Sequence, residues 1–344
     1  MQSMYSLILV FVTAFLATAL WLIVARRRNW FDHPNHRSSH VIPTPKSGGA
    51  GFVLAFTVMA LAMYLGQSLA AEYFLLTVVA LVLALVGFAD DLRPLGIFER
   101  IGRQVVAALL AVVLLGFVPA LVFPWGELGP AWLRGAMLAA GIVWLINLYN
   151  FMDGIDGLAA TEAIFFCLAL AWFSSSGGAP TVTLLNLGLA FAITGFLYFN
   201  LPPARLFMGD LGSNYLGYIL AILGGITIRT EAVNVWTLLV LLGVFIVDAT
   251  ATLVGRMGAG HVWYHAHRSH AYQQAALRLN SHGTVVVMIA LINILWLLPL
   301  AWLTTRYEPW GVLLTFVAWA PLHVLGRFVR HTPQALKETS QASA

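Results

Sequence analysis

Long apolar stretches leave this chain few ways to fold. Residues 4–25, 181–199 and 283–304 carry no charged side chain at all, and a helix needs about 20 such residues to cross the hydrocarbon core of a bilayer. Core helices of soluble proteins are shorter and keep a polar face. Of the 344 residues, 60% are hydrophobic and 9% charged, where a soluble domain carries roughly a quarter charged. The chain therefore reads as an all-α polytopic membrane protein. Eleven candidate spans can be drawn, at 4–25, 48–66, 72–88, 102–118, 132–150, 158–174, 181–199, 214–229, 233–255, 283–304 and 310–327. They form one catalytic domain over 1–330, followed by a polar tail at 331–344. The first stretch has no basic residue before it and Arg26-Arg27-Arg28 after it. A secretory signal has the opposite polarity, so this reads as a retained helix.

Eleven spans place the termini on opposite sides. One side holds 15 of the 18 Lys and Arg; the other holds Arg134, Arg229 and Arg306. The basic side is the cytoplasmic one, which leaves the N-terminus outside and the C-terminus inside. A sequence pI of about 9.4 thus reflects membrane orientation and carries no implication of nucleic-acid binding. All ten histidines and most aspartates fall on or near the same side. Asp248 is the ionisable residue noted within a span, where a functional role and a buried Asp satisfied by Thr250 or Thr252 are equally open. A transporter or flippase would concentrate such groups near mid-membrane. An interfacial enzyme with one soluble and one lipid substrate would gather them at one face. The single cysteine, Cys167, forms no intrachain disulfide.

Four segments on that face carry chemistry. In Gly-Phe-Ala-Asp90-Asp91-Leu-Arg93, two carboxylates end a span against the helix dipole, a placement that calls for a cation, either Arg93 or a divalent metal. In Asn147-Leu-Tyr-Asn150-Phe-Met-Asp153-Gly-Ile-Asp156-Gly, glycines allow close approach of a ligand, and Asp156 is a natural N-cap for the next helix. In Asn200-Leu-Pro-Pro-Ala-Arg-Leu-Phe207-Met-Gly-Asp210-Leu-Gly-Ser213, an Asp starts a helix whose free N–H groups favour phosphate, with a simple Asp or Ser cap as the plainer reading. The loop His261-Val-Trp-Tyr-His265-Ala-His267-Arg268-Ser-His270-Ala-Tyr272-Gln273 lacks HExxH and cysteine ligands, and reads better as a diphosphate clamp than as a zinc site.

Together these segments, with Pro43-Thr-Pro-Lys46-Ser-Gly48-Gly49, resemble the polyprenyl-phosphate N-acetylhexosamine-1-phosphate transferase superfamily from about residue 33 to 275. The loop reading HRSHAYQQ looks most like its O-antigen-initiating branch. The resemblance implies transfer of an N-acetylated amino-sugar 1-phosphate from a UDP-sugar donor to undecaprenyl phosphate at the bacterial inner membrane, with Mg²⁺ as cofactor and Mn²⁺ as a substitute. It implies Asp90, Asp91, Asp210 and His270 as catalytic residues, and Asp210 and Asp91 as metal ligands. Asp153, Asp156, Asn150, Asn200, Phe207, Arg268 and His267 are implied in substrate binding. Membrane lipid surrounds the protein, and a homodimer is open as its assembly. Where the superfamily continues His-x-His-His, this chain reads His270-Ala-Tyr272-Gln273, which shifts diphosphate contacts toward Arg268. The family's lysine near the Pro-Thr-Pro turn has two counterparts here, Arg37 and Lys46. A CDP-alcohol phosphotransferase would need an arginine shortly after Asp156-Gly157, where this chain has Leu-Ala-Ala.

Overall fold

The computed structural model describes residues 2–34, 42–93, 95–260 and 268–331. Arg37, His261, His265, His267 and the tail from 332 lie outside the described residues.

Apolar runs become helices in order. These are α1 (Gln2–Arg27), α2 (Ala50–Leu65), α3 (Ala71–Leu92), α4 (Ile97–Leu115), α5 (Ala131–Met152), α6 (Leu158–Ser176), α7 (Pro180–Asn200) and α8 (Gly209–Arg229). They continue with α9 (Val235–Leu241), α10 (Gly243–Gly258), α11 (Ala271–Leu279), α12 (His282–Ile292), α13 (Leu298–Arg306) and α14 (Gly311–His331). A π-helical turn at Asn293–Leu297 joins α12 to α13. Two short antiparallel ladders complete the described residues. Strand β1 (Phe31–Asp32) pairs with β2 (Thr44–Pro45), and β3 (Val122–Phe123) pairs with β4 (Gly126–Glu127).

Every expected span falls on a helix, and the differences are physical. Eight helical segments are long and apolar enough to cross a membrane, or up to nine with the bent pair counted as one. Helix α2 is a shorter apolar segment. Helix α4 starts five residues before its expected span and takes Glu99, Arg100 and Arg103 into its first turns. The stretch 233–255 breaks into α9 and α10, bent by 77°. The break has no proline; Gly243, packed against Trp319, sits at the junction.

Helix α8 is the centre of the bundle, packed against α3, α5 and α6. Gly87 of α3 permits the closest of these approaches, since a Cβ there would sit 2.3 Å from the Asp210 carbonyl oxygen. Helices α1 and α14 instead expose Leu9, Leu16, Leu20, Phe316, Val324 and Phe328, a surface suited to lipid. At the opposite end from the aspartates, Trp125, Trp132, Tyr307 and Trp310 are exposed, as in an interfacial aromatic belt.

Candidate active site

Four inter-helix connections meet at one end of the bundle. The β2–α2 turn is held by Trp21, whose Nε1 donates to the Lys46 carbonyl at 3.2 Å, and by backbone bonds from Phe207 N to Pro45 O and from Gly48 N to Phe207 O. Trp21 and Trp30 each pack edge to face on Phe88 beside it, and are tilted by 36° to one another. Phe207 is thus part of the seam between the first and third connections, half-buried.

The paired aspartates divide their labour. Asp90 is buried; its Oδ1 accepts from Leu95 N at 2.7 Å and its Oδ2 pairs with Arg100 at 2.8 Å. Its cationic partner is therefore Arg100 in α4, since helix α4 turns back toward the end of α3, and not the neighbouring Arg93. Asp91 reaches across to the start of α8. Its Oδ1 accepts from Asp210 N at 3.1 Å, and its Oδ2 from Leu211 N at 3.2 Å and Ser47 Oγ at 2.7 Å. The negative end of α3 thereby meets the positive end of α8, which removes the dipole conflict posed by the sequence. The α8 N-terminus is capped from a distance by Asp91; neither Asp210 nor Ser213 caps it locally.

Asp210 faces α5. Asn150 Nδ2 donates to its Oδ1 at 2.7 Å and to Ser213 Oγ at 3.1 Å. The other membrane-edge asparagine, Asn147, pairs with Gln104 at 2.7 Å. Asp153 ends α5, and no hydrogen bond or cationic partner for its carboxylate is found among the described residues. Burial, with the carboxylates of Asp210, Asp91 and Asp156 nearby, holds its carboxyl well above the usual carboxylate range. Asp156 does not cap α6, whose N-cap is Gly157. Its Oδ2 accepts from Ala204 N at 3.0 Å and lies 3.3 Å from His282 Nδ1. Asn200 is buried with both ends of its amide used: Oδ1 accepts from Gly157 N and Nδ2 donates to Leu206 O, each at 3.0 Å. It is a strut between two site loops.

His270 lies buried between Phe151 and Tyr272, with ring centroids 6.3 and 5.7 Å away. Asp248 organises this corner. It accepts from Ala271 N at 2.8 Å and Tyr272 N at 2.9 Å, from Thr252 Oγ1 at 3.1 Å and from Arg330 at 3.2 Å, and it lies 3.8 Å from His270 Nδ1. Of the two threonines named from the sequence, Thr252 is a partner of Asp248, and the carboxylate also ties the start of α11 to α10 and α14. Tyr272 donates to the Phe151 carbonyl at 2.8 Å. That contact needs Gly154, where a Cβ would lie 2.1 Å from the Tyr272 hydroxyl oxygen. Tyr272 and Gln273, which replace histidines of the family motif, are buried ties between α11 and the Asp153 loop. The buried Nε of Arg268 has no hydrogen-bond partner among the described residues.

Among the described residues Asp153 has no partner and Asp210 has one oxygen bonded to Asn150, while Lys46 and Arg100 act electrostatically on Asp91 and Asp210 from the rim. No three His, Cys, Asp or Glu side chains among the described residues are gathered closely enough to form a protein-only metal cage, so a cation here would rest on one or two carboxylates and on substrate phosphate. Beside the site an apolar groove of about 400 Å³, lined by Ile101, Val105, Ala139, Val143 and Leu253, runs to Asn147 and Phe151. Sequence reasoning passes over Ser47, Arg100, His282, Glu162 and Arg330, because each acts on residues at least ten positions away or sits in an apolar run. Glu162 lies within α6, so Asp248 is not alone inside the spans.

Residues 73–228 match the family described as Glycosyl transferase family 4. The chain is 28% identical over 291 residues to a "Probable undecaprenyl-phosphate N-acetylglucosaminyl 1-phosphate transferase" of Bacillus subtilis, covering 82% of this chain and 79% of that protein. It is 34% identical over 228 residues to the phospho-N-acetylmuramoyl-pentapeptide-transferase of Moorella thermoacetica, covering 61% and 68%. It is 29% identical over 316 residues to a decaprenyl-phosphate N-acetylglucosaminephosphotransferase of Mycobacterium tuberculosis, covering 81% and 77%.

Proposed function

This chain belongs to glycosyl transferase family 4 and is a membrane-embedded sugar-phosphate transferase, and on that premise we propose that it moves an N-acetylated amino-sugar 1-phosphate from a UDP-sugar to undecaprenyl phosphate and releases UMP. The observation that carries this reading is the meeting of Asp91, Asp153, Asp156 and Asp210 at one end of the bundle, beside an apolar groove that shares Phe151 with the site. The groove suits an isoprenoid chain and the carboxylates suit a metal–diphosphate. The basic-residue asymmetry supports a cytoplasmic placement of this face, in a bacterial inner membrane on this reading. The product begins O-antigen or a related envelope polysaccharide.

A lipid phosphate oxygen bonds to the sugar-proximal phosphorus; the bond to the UMP phosphate breaks, and UMP departs with its electron pair. Two unit anions 4 Å apart repel by about 4 kcal/mol at an effective dielectric of 20, so positive charge is the main requirement. Mg²⁺, or Mn²⁺ in its place, supplies it and stabilises the departing phosphate when bound. Asp210 and Asp91 would hold the ion, with Asp153 beside them; one or two carboxylates suffice for Mg²⁺ at phosphates. Arg268, with its unpartnered Nε, adds a donor for the diphosphate, and His270 is held for the same purpose by Asp248. Asp90, bound to Arg100 and Leu95, orients the turn that receives the lipid phosphate. Asn150, Asp156, Asn200 and Phe207 shape the donor side.

The test is UMP release by the purified protein with undecaprenyl phosphate, Mg²⁺ and a panel of UDP-N-acetyl sugars. Asp210→Asn is expected to lose nearly all turnover while staying folded. Wild-type turnover in that variant would defeat the metal assignment. No UMP from folded wild-type protein with any donor would favour a transporter, the reading to which the bent α9–α10 pair lends itself.

A further inference from the structure

Glu162 lies on the second turn of α6, immediately after the Asp153–Gly157 connection, and is 1% exposed. Its Oε2 accepts from Asn293 Nδ2 at 2.5 Å. Asn293, also 1% exposed, is the first residue of the π-helical turn between α12 and α13. Such turns re-aim a side chain and recur at functional sites. Among the described residues the remaining atoms of the pair, Glu162 Oε1 and Asn293 Oδ1, are both buried without a hydrogen-bond partner. The Tyr149 hydroxyl beside them makes no hydrogen bond either, and no basic side chain pairs with Glu162 among the described residues.

A carboxylate offers only acceptors, and a primary amide offers one acceptor and two donors. Whichever way the Asn293 amide is turned, its oxygen stays unsatisfied against an ionised partner. A proton on Glu162 removes both deficits at once: Oε1–H donates to Oδ1 while Nδ2–H donates to Oε2, giving a two-point acid–amide pair. Deeply buried polar atoms are almost always satisfied, and an unpaired charge is at its costliest in a membrane interior.

The pair also has a mechanical context. Eleven residues before Asn293, His282 opens α12 and lies 3.3 Å from Asp156; six residues before Glu162 stands Asp156 itself. The α12–α13 span is thus fastened to the α6 side at two heights, by His282 at the surface and by Asn293 in the interior. We propose that Glu162 carries its proton within the fold and that its acid–amide pair with Asn293 positions the Asp153–Gly157 connection for the UDP-sugar, a role that rests on the transferase reading above.

The proton is tested by infrared difference spectroscopy of the full-length protein in detergent. Wild type minus Glu162→Gln is expected to show the carbonyl stretch of a carboxylic acid, above the amide I band. Only carboxylate bands in that difference would overturn the protonated pair, whatever the protein's activity. The positioning role is tested kinetically. Glu162→Leu is expected to raise the KM for the UDP-sugar about tenfold or more, as loss of an outer positioning group does elsewhere, with a smaller change in kcat. Glu162→Gln keeps a two-point amide pair and is expected to stay near wild type, as is the exchanged pair Glu162→Gln with Asn293→Asp. An unchanged KM in Glu162→Leu, or a Glu162→Gln variant as impaired as Glu162→Leu, would overturn it. If the leucine variant fails to fold, the glutamine and exchanged variants still decide. Absence of turnover in wild type would fall on the transferase reading and leave the infrared result standing.

Discussion

Replacing Asp248 by Asn removes the charge around which α10, α11 and α14 meet. The side chain keeps its shape, but one acceptor oxygen becomes an NH₂ that faces a backbone N–H, that of Ala271 at 2.8 Å from Oδ1 or that of Tyr272 at 2.9 Å from Oδ2. A hydrogen bond to a charged group contributes about 1.5–3 kcal/mol and a neutral one about 0.5–1.5 kcal/mol, so losing one bond and neutralising the other costs roughly 3 kcal/mol. Arg330, 3.2 Å away and largely buried, is left without its counter-charge. Removing one partner of a buried ion pair costs about 3–5 kcal/mol in total. At about 1.4 kcal/mol per tenfold, the docked population of α11 falls by at least a hundredfold relative to its undocked form, and His270 goes with it. The assay is kcat/KM for UMP release alongside thermal unfolding in detergent, for Asp248→Asn, Arg330→Gln and the double variant. The double variant is expected to be less impaired than the sum of the singles by about 1–3 kcal/mol. Strict additivity, or wild-type kcat/KM in Asp248→Asn, would refute the view that this carboxylate holds the histidine corner.

Gly154→Ala places a methyl group against the Tyr272 hydroxyl and is expected to cost about 1–3 kcal/mol of stability as overpacking. Tyr272→Phe in the same chain should restore part of the thermal midpoint, and no restoration would locate the strain elsewhere. Asp153 supplies a pH prediction. Its carboxyl is raised in the fold, so from its ordinary value near 3.9 upward the native state binds more protons than the unfolded chain, and stability of the metal-free protein falls as pH rises through that window. A cation bound there displaces the proton, so the gain in thermal midpoint on adding Mg²⁺ should grow with pH. In Asp153→Asn that growth should flatten, and an unchanged slope would remove Asp153 from the cation site.

The sequence was most legible where chemistry is local. Apolar runs marked every membrane-length helix, though not the short polar α11, which reads as loop, and the Asp–Gly and paired-Asp segments marked the loops that converge. What it withheld were partners distant in the chain. Asp91 caps a helix 119 residues on, Asp248 waits 82 residues for Arg330, and Asn293 is 131 residues from Glu162. Nothing in local spacing encodes such pairs, which is why a nearest-neighbour reading offers Arg93 as a partner for one of the paired aspartates and Asp156 as a helix cap. The α9–α10 bend was equally hidden, since residues 233–255 contain no proline and no charge but Asp248, and read as one continuous span.

That bend bears on how the chain is made. A helix of seven residues is only about 10 Å long, too short to hold a place across the bilayer as α9 emerges. Asp248 follows at once, and its guanidinium partner is not synthesised until two further helical passages have been added. A straight span would strand that carboxylate in lipid during the interval. The 77° turn takes α10 off the line of α9, and the Asp248–Arg330 pair of the histidine corner closes only once α14, the final described helix, is in place.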